Sequence, residues 1–158
     1  TRRRPRRAPR GALRMMTSEY RMRRMVEFAD TDMAGIMYFA NYFSFMESVE
    51  HAFFRSLGFS VHSGPNADSW GWARRNASMS YERPLRFEDE VELHIRVIEK
   101  RTKAIVYETR FLLDTKEGQV EVARGSITAV CVQKSESGGM FAVTMPAEID
   151  AAVTVSEA

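Results

Sequence analysis

The stretch Phe28-Ala29-Asp30-Thr31-Asp32-Met33-Ala34-Gly35-Ile36-Met37-Tyr38-Phe39-Ala40-Asn41-Tyr42 decides how the rest of the chain is read. Two carboxylates, Asp30 and Asp32, stand two residues apart in a polar, Gly-containing turn. The turn runs straight into a segment of helical periodicity. From Asn41 to Leu57 the residues Tyr42, Phe45, Met46, Val49, Phe53 and Leu57 form one apolar stripe. Asn41 is expected to cap the start of this helix, and Gly58 to stop it. A helix start carries unpaired backbone N–H groups and a partial positive charge, which suit a developing oxyanion. A carboxylate beside it, in apolar surroundings, can attack a carbonyl or activate water. The same two carboxylates can also do no more than hold a turn. The residues alone leave both readings open. A calcium loop needs further oxygen ligands at regular spacing, and these are missing.

Outward from this stretch, the chain reads mostly as strand. Residues 20–28 alternate, with Tyr20, Met22, Val26 and Phe28 on one face and Arg24 as the exception. Residues 60–70 contain Gly, Pro, Asn and Asp and read as a loop. Strands are expected at 72–81, 90–98, 103–113 and 120–132, with a hairpin turn at 114–118. Residues 135–139 read as a flexible stretch, and 146–152 as a short terminal helix. Long neighbouring strands joined by short turns favour an antiparallel sheet with one apolar helix on its face, an α+β architecture.

The chain has 158 residues, enough for one domain. The N-terminal end is set apart by charge. Of 23 basic residues, Arg2, Arg3, Arg4, Arg6, Arg7, Arg10 and Arg14 fall in the first fourteen positions. The remaining 16 face 21 acids, so the body is net −5 rather than the +2 of the whole chain. Residues 1–18 are expected to be a disordered basic tail. It reads as sequence upstream of a start at Met15 or Met16, as a targeting segment, or as a nucleic-acid arm. The acidic body argues against the last, and no nucleic-acid partner is expected. No apolar run reaches the roughly 20 residues of a membrane span. The single cysteine, Cys131, excludes an internal disulfide. Three scattered histidines make no metal site.

The segment resembles the hotdog-fold thioesterases of the 4-hydroxybenzoyl-CoA thioesterase and Tol-Pal-associated acyl-CoA thioesterase type. Phe28, Asp30, Asp32, Gly35, Ile36, Tyr38, Asn41 and Tyr42 carry the signature. Tyr81-Glu82-Arg83-Pro84-Leu85, then Asp89, fit the family's later strand and turn, as does the closing Met145-Pro146-Ala147-Glu148. One departure is Glu88, where the family often has Gly. The resemblance spans about residues 19–152, which are expected to form the domain, with 153–158 as a C-terminal tail.

The resemblance implies an antiparallel sheet wrapped around a central helix, and acyl-CoA hydrolysis with Asp32 as nucleophile or general base. It implies that Asp30 and Gly35 organise the loop, and that the backbone amide near Tyr38 and Phe39 polarises the thioester carbonyl. Ile36, Asn41 and Tyr42 are expected at the substrate. It implies no metal and no cofactor beyond the CoA of the substrate, a homodimer or homotetramer, and a cytoplasmic protein. A carrier-protein thioesterase and a non-catalytic acyl-CoA-binding module are the alternatives.

Overall fold

The structure, a computed structural model, describes residues 17–64 and 69–157. Most of the Arg-rich tail therefore lies outside the described residues. Six strands and two α-helices follow in the order β1 (Glu19–Met25), α1 (Asn41–Ser56), β2 (Trp70–Tyr81), β3 (Glu90–Lys100), β4 (Ala104–Thr115), β5 (Gly118–Lys134), β6 (Met140–Ala142) and α2 (Ala147–Ala152). A single 3-10 turn, Phe28–Asp30, stands between β1 and α1. The strands form one antiparallel sheet in the order β1-β3-β4-β5-β2, with β6 added to the end of β5. This is the sheet around a central helix that the resemblance implied.

The sheet buries one face against α1. Phe45, Met46, Val49 and Phe53 are fully buried on the helix, and they meet Leu93, Ile95, Ile105, Phe111 and Ile127 from the strands. Each such side chain stabilises the fold by roughly 1.5–3 kcal/mol through burial. Gly125 on β5 allows the closest approach. A Cβ there would lie 2.6 Å from Met46 Sδ and 2.7 Å from Met79 Cε. The opposite face is kept polar by cross-strand ion pairs, Arg21–Glu92, Arg23–Asp114 and Arg110–Glu121 among them. No helix among the described residues is long and apolar enough to cross a membrane.

Several local expectations change. The first strand ends at Met25, and Phe28 is exposed in the 3-10 turn rather than on the buried face. Arg24, the exception in the alternation, does face the helix. Its guanidinium lies 3.9 Å from the centre of the Phe45 ring, and Nη1 donates to Ser48 Oγ at 3.2 Å. The cap of α1 is Ala40, not Asn41, which is already helical. Residues 135–139 form the turn of a β5–β6 hairpin, closed by Ser135 N–H to Gly139 C=O at 2.7 Å. Val153 is fully buried and bridges to Thr17, while Ser156 N–H donates to Val97 C=O, so the packed body extends beyond 152.

One charged pair is built into the helix–sheet junction. Glu50 on α1 is 1% exposed, and Arg74 on β2 binds both its oxygens, at 2.9 and 2.8 Å. Burial pushes the Glu50 carboxyl above its ordinary range, against the pull of Arg74. A raised carboxyl holds its proton more tightly folded than unfolded, so its contribution to stability is lost as pH rises through the raised value. Arg74→Leu leaves this carboxylate buried alone. Stability should fall by about 3 kcal/mol near neutral pH, the low end for such pairs because Arg74 is partly exposed. Part should return in mild acid, where the carboxyl is neutral. Equal losses by denaturant titration in both conditions would contradict this.

Glu88 is the one non-glycine residue with positive φ among the described residues, at 67°. Its N–H donates to Val26 C=O, and Val26 N–H to Asp89 C=O, both at 2.8 Å. The left-handed conformation is thus fixed by pairing with the end of β1, and it costs a β-carbon-bearing residue roughly 1–2 kcal/mol. The glycine common at this position in the resembling family follows from that geometry. Glu88→Gly should raise stability by about 0.5–1 kcal/mol, after the added freedom of the unfolded chain is subtracted. A lower denaturation midpoint in this variant would show that the Glu88 side chain matters more than its backbone.

Candidate active site

The loop from β1 to α1 is held by its own backbone. Asp30 is the hub. Its carboxylate accepts the Glu27 N–H at 2.9 Å, and its carbonyl accepts both the Tyr38 N–H and Asn41 Nδ2, each at 2.9 Å. Asn41 therefore ties the helix start to the loop. Its side chain is engaged there, and it does not line the cavity described below. Thr31 and Met37 form an isolated bridge, and Met37 N–H donates to Leu85 C=O at 2.7 Å. That last bond docks the loop onto the segment following β2.

Asp32 stands at the neck of the inner turn. Its N–H donates to Ile36 C=O, and its C=O accepts the Gly35 N–H, both at 3.0 Å. One carboxylate oxygen, Oδ1, accepts the Ala34 N–H at 2.8 Å. The side chain is thereby oriented with its second oxygen left for other work. Gly35 has φ +77°, which the tight reversal between Asp32 and Ile36 requires and which a β-carbon would disfavour. Met33, at the tip, is fully exposed.

A cavity of about 480 Å³ opens at this point, within the ~300–1,000 Å³ range of small-molecule sites. Asp32, Ile36, Phe39 and Tyr42, all expected at the site, line it together with Met37, Tyr81, Glu82, Arg83 and Pro84. Tyr81 was not picked out by the sequence as a site residue, because a tyrosine closing a strand carries no local signal of what its hydroxyl meets. Here that hydroxyl donates to the Phe39 carbonyl at 2.8 Å. The aromatic rings form an edge-to-face chain, Tyr42–Tyr81 at 5.0 Å, Phe39–Tyr81 at 6.5 Å and Tyr38–Phe39 at 4.9 Å between centroids. The walls thus carry three aromatic rings, with Asp32, Glu82 and Arg83 as the charged residues.

The amides at the helix start are not equivalent. The Tyr38 N–H is engaged by Asp30, so the expectation of a donor near Tyr38 and Phe39 narrows to Phe39. The Phe39 N–H has no partner within the chain among the described residues. Elsewhere, His51 lies 3.6 Å from Glu47, and His94 Nε2 lies 3.0 Å from Glu19. Arg74 is engaged by Glu50.

A second cavity of about 430 Å³ lies beside Trp70 and Trp72, far along β2 from Tyr81. It contains no carboxylate among its lining residues.

Comparison with known proteins shows the family and the fold. A protein of Aquifex aeolicus is 35% identical over 77 residues, which cover 49% of this chain and 59% of that relative, so the chain spans less than two thirds of it. The acyl-CoA thioesterase YbgC of Haemophilus influenzae is 24% identical over 80% of this chain and 88% of the relative. Among solved structures, 4-hydroxybenzoyl CoA thioesterase from Pseudomonas sp. strain CBS-3 superposes with a TM-score of 0.72 at 19% identity, covering 85% of this chain and 99% of that one. The gentisyl-coenzyme A thioesterase BH1999 gives a TM-score of 0.68 at 24% identity, covering 84% and 98%. The model of the thioesterase-like superfamily matches residues 26–153, and the chain belongs to that family.

Proposed function

We propose that this protein hydrolyses acyl-CoA thioesters, with aromatic or short acyl groups, to the free carboxylate and CoA. The observation that carries the proposal is the placement of Asp32 and Phe39 on one aromatic-walled cavity at the start of α1. The acyl carbonyl would accept the Phe39 N–H, a bond that strengthens as negative charge grows on that oxygen. Asp32 then acts in one of two ways. As general base it takes a proton from water while the water oxygen bonds to the carbonyl carbon. As nucleophile its carboxylate bonds to that carbon, and water cleaves the resulting anhydride. In either case the C–S bond breaks, and the CoA thiolate leaves and takes up a proton. The thioester is already activated, so position and charge suffice and no metal or added cofactor is required.

The aromatic walls favour flat acyl groups, which stack edge-to-face with Tyr42 and Tyr81. We further propose a homodimer, or a pair of dimers. Strand β2 ends the sheet order with a twelve-residue open edge, and such edges invite pairing with a second chain. The relatives described as acyl-CoA thioesterases support the reaction class.

Thiol release from a panel of acyl-CoAs is the test. The native protein should favour aryl or short-chain esters. Asp32→Asn should keep the fold and lose at least about 100-fold in kcat, in the range of a lost catalytic proton transfer. Light scattering on the same samples should report a dimer or tetramer. Full turnover in Asp32→Asn would remove Asp32 from the mechanism. No release by the folded native protein would point to carrier-protein substrates or to binding without hydrolysis.

A further inference from the structure

Resting on the thioesterase reading above, we infer that Tyr81 is a positioning residue. Its hydroxyl, by holding the Phe39 carbonyl, fixes the Phe39 N–H toward the reacting carbonyl.

Phe39 is held on both of its sides. On the N-terminal side, the Tyr38 N–H is anchored to the Asp30 carbonyl at 2.9 Å. On the C-terminal side, the Phe39 carbonyl is anchored by the Tyr81 hydroxyl at 2.8 Å. Phe39 precedes the first helical residue by two positions, and the carbonyl of its own peptide unit, Tyr38 C=O, accepts the Asn41 N–H at 2.9 Å. The two anchors together leave little freedom in the dihedral angles of Phe39, and hence in the direction of its N–H. Without the Tyr81 anchor, Phe39 is held only from its N-terminal side, through the Tyr38 N–H and the Tyr38 carbonyl, and its ψ angle is released. Its own side chain is 59% exposed and supplies little packing.

Tyr81 is itself well placed to hold a fixed position. It is the last residue of β2 and is paired with Ala123 on β5. The next two amides, Glu82 and Arg83, both donate to Val122 C=O, at 2.8 and 3.1 Å. The ring is braced against Tyr42, which is 3% exposed. Partial burial also pushes the phenol above its ordinary range, so the hydroxyl keeps its proton and remains a donor at working pH. The sheet thus reaches across the cavity mouth to set the geometry of a helix-start amide.

Tyr81→Phe keeps the ring and removes only the hydroxyl. It should lower kcat by roughly 10- to 100-fold, the scale of a misaligned or lost oxyanion donor, with KM within about twofold of native. A second measurement reads the carbonyl directly. Acyl-CoA labelled with ¹³C at the thioester carbonyl is bound to Asp32→Asn protein, and its infrared stretch is recorded. The stretch should move to lower frequency on binding, and this shift should shrink in the Asp32→Asn, Tyr81→Phe double variant. An unchanged kcat and an unchanged carbonyl shift would overturn the role of Tyr81 while leaving Asp32-dependent hydrolysis intact. A rise in KM with kcat preserved would also overturn it, by making Tyr81 a substrate contact only. Absence of thioester hydrolysis by the native protein would remove the reading on which the inference rests.

Discussion

Burial of the apolar stripe of α1 against the sheet is the constraint on which everything else depends. Phe45, Met46, Val49 and Phe53 are removed from water only if the helix lies across the strands, and the sheet has one apolar face to offer it. That packing decides where the helix begins. The loop from β1 must then climb from the edge of the sheet to the helix start within fifteen residues. It does so as a small, hydrogen-bonded structure organised by Asp30. Asp32 and Phe39 reach one cavity because both belong to this climb.

The site is held from three directions. The loop supplies Asp32, oriented by the Ala34 amide. The helix start supplies the Phe39 amide. The end of β2 supplies Tyr81, which anchors Phe39, and the segment after it supplies Leu85, which anchors Met37. Most of these anchors are backbone groups, which position without adding charge. The Asp32 carboxylate lies beside the rings of Phe39, Tyr42 and Tyr81, with Glu82 and Arg83 completing the charged lining.

Much of this could be read from the chain. The helix was visible because its stripe keeps a 3.6-residue period from Tyr42 to Phe53. Strand β3 was visible because Val91, Leu93, Ile95 and Val97 alternate with polar residues. Asp32 and Ile36 were legible through the motif that carries the family resemblance. What stayed hidden depends on pairs distant in sequence. Glu50 reads as a polar break in an apolar helix, and only the position of Arg74, 24 residues later, makes it a buried ion pair. Asn41 reads as a cap, yet it is already the first helical residue, and its Nδ2 donates back to the carbonyl of Asp30. The partner of the Tyr81 hydroxyl is 42 residues away, on the other side of the cavity. Glu88 showed as a departure from a family glycine, but its left-handed backbone required the fold to be seen.

The claim that Asp32 and the Phe39 amide flank a reacting carbonyl is tested most directly by a crystal structure of Asp32→Asn protein with an unhydrolysed aryl-CoA. The thioester oxygen should lie within about 3.2 Å of Phe39 N, the ordinary limit of such a bond. The carbonyl carbon should face the side chain at position 32, with the aryl ring against Tyr42 and Tyr81. An acyl group seated instead beside Trp70 and Trp72, or a thioester oxygen pointing away from the start of α1, would contradict it.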